Sequence, residues 1–174
     1  MSKRYAIDLD VSKCVSCGAC AVACMDQNDL KVREGARPFR NVFDMEWQEG
    51  EGTAYSHLSL ACMHCVDAPC IVGCPSACIR KDPETGLTVF DTTNCIGCHS
   101  CAMACPYGVP GFGEDGKMVK CDGCYVRLHH GLKPACVKAC PTGALKLVDL
   151  DAPEEIAPEN SLRHRSMELL ERQV

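Results

Sequence analysis

The sequence predicts an α+β protein folded around metal-bound cysteines, and three observations predict it. Cysteine supplies 17 of the 174 residues. All but one of the 17 fall into four groups of four with related spacing, the mark of an internally repeated ligand module. Short alternating apolar stretches and short runs of small residues flank the groups, which suits short strands and helices. The hydrophobic fraction is 47%, but without cysteine it falls to about 37%, too little for an ordinary apolar core at this length. Cysteine this dense belongs either to a disulfide framework or to metal sites. The odd count, the tight C-x-x-C grouping and the lack of an apolar stretch after Met1-Ser2-Lys3-Arg4 favour metal in a reducing compartment, with no secretory or twin-arginine signal expected. No apolar run approaches the ~18 residues of a membrane span, so none is expected. A net charge of −5 with both signs interspersed offers no basic patch for nucleic acid.

The groups follow one another with their own punctuation. Group one is Cys14, Cys17, Cys20 and Cys24, spaced C-x2-C-x2-C-x3-C. Group two is Cys62, Cys65, Cys70 and Cys74, with an expanded middle spacing and Pro75 after it. Group three, Cys95, Cys98, Cys101 and Cys105, repeats the spacing of group one and ends in Pro106. Group four, Cys121, Cys124, Cys136 and Cys140, carries an eleven-residue insertion after its second cysteine and ends in Pro141. Three cysteines at i, i+3 and i+6 can wrap one face of a cubane, and the fourth corner faces away. In the bacterial ferredoxin run C-x2-C-x2-C-x3-C-P, the fourth cysteine ligates the other cluster of a pair. Proline there removes an N–H and fixes φ, which turns the chain off the cluster. Thiolates alone select iron–sulfur, zinc or copper(I); the spacing of groups one and three selects iron–sulfur. Group four taken alone also reads as a zinc ribbon.

The run Cys95-Ile96-Gly97-Cys98-His99-Ser100-Cys101-Ala102-Met103-Ala104-Cys105-Pro106-Tyr107-Gly108, followed by Lys120-Cys121-Asp122-Gly123-Cys124-Tyr125, resembles the four-cluster iron–sulfur subunit of the DMSO reductase superfamily. Motif order, the expanded second group and the interrupted fourth agree over residues 5–148. The resemblance implies two ferredoxin-like lobes, residues 1–30 with 119–150 and residues 61–118, separated by an insertion at 31–60 and followed by a tail at 151–174. It implies an electron wire with no catalytic site of its own. Its partners would be a large molybdenum or tungsten bis-pterin subunit and a membrane subunit that exchanges electrons with quinone, or a soluble redox partner, as in anaerobic respiration. It further implies four [4Fe-4S] clusters with exchanged ligands. Cluster A takes Cys14, Cys17, Cys20 and Cys140, and cluster B takes Cys121, Cys124, Cys136 and Cys24. Cluster C takes Cys62, Cys65, Cys70 and Cys105, and cluster D takes Cys95, Cys98, Cys101 and Cys74. Some relatives lack a cysteine at the position of Cys98 and carry a three-iron cluster; here all four are expected to be cubanes. The implied location is cytoplasmic or membrane-associated through partners, with export alongside a signal-bearing partner an option of the family.

The remaining elements fit this frame. Tyr5, Ile7 and Leu9 alternate with polar neighbours as a strand before Cys14; Leu87–Phe90 does the same before Cys95, and Ala144–Leu150 returns after Cys140. Ala19–Met25 and Ala102–Ala104 are helix-compatible, which predicts each fourth cysteine on a short helix. The insertion carries Lys31, Arg33, Arg37 and Arg40, then Trp47 among Glu46, Glu49 and Glu51. It reads as a solvated hairpin or as a docking surface for the large subunit. Cys78 matches no motif position and reads as a small buried apolar side chain. His64 and His99 line the cluster surroundings, where hydrogen bonds to sulfur tune potential, while His129 and His130 are expected at the surface. In the tail, Asn160 or Ser161 can cap a helix, and Leu162, Met167, Leu169 and Leu170 either pack on their own domain or grip a partner. There is no P-loop, G-x-G-x-x-G or nucleophile elbow. A freestanding polyferredoxin shuttle, a hydrogenase-linked ferredoxin subunit and a multi-zinc structural module are the alternatives.

Overall fold

The computed structural model describes residues 3–152 and 157–165. The chain runs β1 (Tyr5–Leu9), α1 (Ala19–Gln27), β2 (Asn41–Glu49), β3 (Gly52–Leu60), α2 (Pro69–Val72), β4 (Ile79–Lys81), β5 (Thr88–Phe90), α3 (Ser100–Ala104), β6 (Gly111–Phe112), β7 (Met118–Val119), α4 (Tyr125–His129), α5 (Ala135–Ala139) and β8 (Leu145–Asp149). Every one of these strands lies in a two-stranded antiparallel ribbon: β1 with β8, β2 with β3, β4 with β5 and β6 with β7. The strands expected before Cys14, before Cys95 and after Cys140 are β1, β5 and β8. Among the described residues no helix is long and apolar enough to cross a membrane.

Helices pair as the ribbons do, α1 against α5 and α2 against α3. A Cβ added at Gly73 would meet Ala104 Cβ and Pro69 O at 3.3 Å, so the glycine lets α2 lie directly on α3. The two apolar clusters sit beneath these pairs. One gathers Ile7, Leu9, Cys20, Cys136, Ala144 and Leu145; the other gathers Ala68, Cys70, Cys78, Ile79, Cys101 and Met118. Sulfur makes up much of each core, which is how a chain poor in other apolar residues closes.

Two expectations need correction. Of the fourth cysteines only Cys24 lies within a helix; Cys105 and Cys140 cap the C-termini of α3 and α5, and Cys74 lies beyond α2. Proline is the reason, because the residue before it is forced out of the α region. Cys105 (φ −84°, ψ 115°) and Cys140 (φ −71°, ψ 110°) are extended, whereas Cys24 is followed by Met25 and α1 continues. Secondly, β1 is not one-sided: Ala6, Ile7, Asp8 and Leu9 are all buried. The second face is covered by residues 157–165, where Ser161 Oγ donates to Asp8 Oδ2 and the Arg163 N–H donates to Asp8 Oδ1 at 3.0 Å. Ser161 Oγ also accepts the His164 N–H at 3.1 Å, the bond of an N-cap. Met167, Leu169 and Leu170 lie outside the described residues.

The β2–β3 hairpin pairs Phe43 with Leu58, Met45 with Ser56 and Trp47 with Ala54. Strand alternation puts these six on one face, where Phe43, Met45 and Trp47 are exposed. At its base, Val42 and Ser59 turn inward.

Candidate metal centres

The four cysteine loops share a backbone device. The third residue of each opening C-x-x-C has a positive φ: Ser16 at 54°, His64 at 46°, Gly97 at 64° and Gly123 at 75°. Gly18 and His99 repeat it at the starts of α1 and α3, as does Cys124 at the start of α4. Alternation of this kind turns successive N–H groups into one concave nest that favours an anionic occupant. A second device follows the fourth cysteine. Ala77, Gly108 and Gly143 have positive φ and return their N–H to the carbonyls of Cys74, Cys105 and Cys140 at 3.3, 3.2 and 3.4 Å. The repeated C-P-S-A, C-P-Y-G and C-P-T-G are this turn, with proline at its second position and a small residue where φ is positive.

The loops converge in sets that mix groups. Cys14, Cys17, Cys20 and Cys140 line one cavity, walled by Leu9, Val42 and Leu145. A second is lined by Cys24, Cys121, Cys124 and Cys136 with Ile7, Phe39 and Arg40. Cys74, Cys95, Cys98 and Cys101 line a third, with Ile79, Phe112, Met118 and the odd Cys78. Cys70 is buried, and burial first, then the thiols of Cys62, Cys105 and Cys65 against an opposing Lys120, push it up to about 11. Burial also pushes Cys124 up to about 11 and raises Cys24, Cys65 and Cys121. Of the 17 cysteines only Cys17 and Cys98 are exposed.

Donors point at the sulfurs. Cys74 Sγ accepts the Cys78 N–H at 3.3 Å, Cys95 Sγ the Met118 N–H at 3.4 Å and Cys121 Sγ the Gly123 N–H at 3.4 Å. Ser100 Oγ lies 3.4 Å from Cys98 Sγ and Ser59 Oγ 3.2 Å from Cys20 Sγ. Arg40, grouped from sequence with the solvated cations of the insertion, is 3% exposed. Its Nη1 donates to Ser59 O at 2.8 Å and Ser59 Oγ at 3.2 Å, while its buried Nε has no hydrogen-bond partner among the described residues. Burial opposes its charge, yet the sulfurs of Cys136, Cys121 and Cys20 outweigh burial and raise its pKa. A buried guanidinium with a spare donor beside thiol-lined cavities fits anionic iron–sulfur clusters.

His64 lies where two sets meet. Its Nδ1 accepts the Thr88 N–H at 3.0 Å, so the neutral ring carries its proton on Nε2, 3.9 Å from Cys121 Sγ. Burial first, then Lys120, Lys81, Arg163 and Arg40, hold its pKa well below the usual range. His99 instead stacks on Phe112 with ring centroids 3.7 Å apart. His129 and His130 are exposed, and His129 pairs with Glu84 at 3.1 Å and Asp82 at 3.5 Å. Cys78 is buried against Ser76. Sequence reasoning missed Arg40, Ser59, Lys81 and Lys120, because nothing in their spacing separates a buried cation from a surface one.

Residues 53–150 match the family described as the 4Fe-4S dicluster domain. Over 157 residues the sequence is 41% identical to the B subunit of the anaerobic dimethyl sulfoxide reductase of Escherichia coli (strain K12), an alignment covering 87% of this protein and 76% of that relative. It is 36% identical over 151 residues to the nitrate-inducible formate dehydrogenase iron–sulfur subunit of the same strain, covering 79% of this protein and 51% of the relative. It is 34% identical over 160 residues to the hydrogenase-2 operon protein HybA of Escherichia coli O157:H7, covering 78% and 49% respectively. With these matches and with thiol-lined cavities that fit the cofactor, the chain belongs to the 4Fe-4S dicluster-domain family of iron–sulfur electron-transfer subunits.

Proposed function

We propose that this chain is a four-centre wire that relays electrons between a large molybdenum or tungsten bis-pterin catalytic subunit and a quinone-linked membrane subunit or other redox partner. Cys14, Cys17, Cys20 and Cys140 hold cluster A, and Cys24, Cys121, Cys124 and Cys136 hold cluster B. Cys62, Cys65, Cys70 and Cys105 hold cluster C, and Cys74, Cys95, Cys98 and Cys101 hold cluster D. Bound [4Fe-4S] clusters supply one-electron exchange; the polypeptide positions, desolvates and electrically supports them.

The observation that carries the reading is that the two most exposed cysteines are Cys17, in the first set, and Cys98, in the last, while every cysteine of the other two sets is buried or half-buried. The sets are joined by side chains. Ser59 links Cys20 to Arg40, which neighbours Cys121 and Cys136. His64 Nε2 approaches Cys121 Sγ, and Lys120 Nζ spans Cys121 O at 2.9 Å and Cys62 Sγ at 4.0 Å. Beside Cys17 the hairpin base, Val42 and Ser59, forms the cavity wall, and the exposed Phe43, Met45 and Trp47 supply an apolar face for the pterin subunit. Cys98 marks the opposite exit.

Exchange of fourth cysteines is tested by Cys24→Ser. The EPR signal that Cys121→Ser also perturbs should change, while the signal perturbed by Cys14→Ser persists. A change confined to the Cys14 signal overturns the pairing.

A further inference from the structure

Three cations from three separate parts of the chain converge on the short loop 62–65. Lys81, on β4, donates through Nζ to Cys65 O and to Thr88 Oγ1 at 3.1 Å. Lys120, just past β7, donates to Thr88 O and Cys121 O and stands 4.0 Å from Cys62 Sγ. Arg163, beyond β8 in the C-terminal segment, donates through Nη1 to Met63 O. Lys120 is 1% exposed and Arg163 6%. Among the described residues neither Lys81 nor Lys120 has a carboxylate partner, so the acceptors of these two ammonium groups are uncharged carbonyl and hydroxyl oxygens. A buried ammonium in that position requires a countercharge. Lys120 Nζ stands 4.0 Å from Cys62 Sγ, and at Lys81, where burial lowers the pKa, the sulfurs of Cys65, Cys62 and Cys70 act the other way and favour the charged form.

The last set is built differently. Cys74 and Cys95 receive backbone N–H donors, and Cys98 Sγ lies 3.4 Å from the neutral Ser100 hydroxyl. Each site gains one negative charge when it takes an electron. A fixed positive charge in a dry site stabilises that reduced form more than a neutral dipole does.

We infer that Lys81, Lys120 and Arg163 make the centre held by Cys62, Cys65, Cys70 and Cys105 the highest-potential one of the chain, an internal electron store between the two lobes. The inference rests on the ligand assignment proposed above. The three cations are positioning residues, since they act through the loop and its sulfurs. Placing the trap inside the chain lets it hold an electron away from both exposed ends while a partner completes a two-electron reaction.

The test is EPR-monitored titration of the purified, cluster-loaded complex with dithionite and redox mediators. Cys65→Ser first identifies the signal of this centre. Lys120→Met should then make that centre at least tenfold harder to reduce at a given potential, about 59 mV for one electron, with iron content unchanged. Lys81→Gln, a less buried change, should move the same signal in the same direction, and Lys120→Arg should restore it. If Lys120→Met loses iron, Lys81→Gln and Lys120→Arg decide the matter. Movement of a signal other than the one Cys65→Ser identifies, or no movement with all clusters present, overturns the inference while leaving the wire intact. Cys65→Ser and Cys14→Ser perturbing one and the same signal would instead show that the ligand assignment has failed.

Discussion

The two inner cysteine sets and the two outer ones use one loop geometry in opposite surroundings. The inner sets, built on Cys121 and Cys62, present no fully exposed cysteine, and burial raises Cys121, Cys124, Cys65 and Cys70. Charges compensate: Arg40, Lys120, Lys81 and Arg163 are drawn into the interior around them. The outer sets each open to solvent at one cysteine and rely on neutral donors. At Cys98 the Ser100 hydroxyl and N–H lower the thiol pKa, and at Cys74 and Cys140 the local hydrogen bonds outweigh a burial that acts the other way. Burial still raises Cys14 and Cys101, which point inward. The lesson is that spacing specifies where thiols stand, while the cost of burying them is offset by residues far away in sequence.

Ligand removal should separate the two environments most strongly. A cluster-loaded chain is expected to contain about sixteen iron, one per motif cysteine. Cys121→Ser, in a site closed by Arg40 and His64, should lose a whole centre, about four iron. Cys98→Ser, at an exposed corner, should lose about one iron and give the EPR signal of an oxidised three-iron cluster. Iron analysis with EPR decides it, and equal losses would break the comparison. A wild-type value settling near eight would remove the four-centre count altogether.

A smaller effect distinguishes two positive-φ glycines of the cysteine loops. Gly18 and Gly123 both have positive φ, at 73° and 75°. A Cβ at Gly18 meets nothing within 4 Å, so Gly18→Ala costs only backbone strain, about 1–2 kcal/mol. At Gly123 the same Cβ would stand 2.8 Å from Leu87 Cδ1 and 3.2 Å from His64 Cε1. Gly123→Ala therefore adds about 1–3 kcal/mol of overpacking to the strain. Thermal unfolding of the loaded protein should rank Gly123→Ala below Gly18→Ala; the reverse order would show that the inner junction is looser than its contacts indicate.

What could be read from sequence was whatever repeats. Cysteine spacing, the C-P-x-A/G turns and the strands around Cys14 and Cys140 each leave a local pattern. Helix ends are less legible, because small helix-compatible residues run up to Cys105 and Cys140 and only the following proline forces those two out of the helix. Asp8 looked like the polar side of an alternating strand because its partners, Ser161 and the Arg163 N–H, lie more than 150 positions away. Arg40 was indistinguishable from Arg37 for the same reason: only the fold brings Ser59 and three cysteines to it.

The smallest expected effect concerns the odd thiol. Cys78 lines the same cavity as Cys74, Cys95, Cys98 and Cys101, so five cysteines surround the space of one outer set. Its contribution to Cys74 Sγ comes from its backbone N–H, which alanine retains, and its own sulfur rests against Ser76 and the apolar cluster of Ile79 and Met118. Cys78→Ala should therefore leave iron content and EPR signals unchanged and cost no more than about 1 kcal/mol of packing. Loss of about four iron would make Cys78 a ligand in place of one of the four. The double variant Cys74→Ser with Cys78→Ala sharpens the point. If it loses more iron than Cys74→Ser alone, Cys78 can stand in for its neighbour; equal losses confine it to the core.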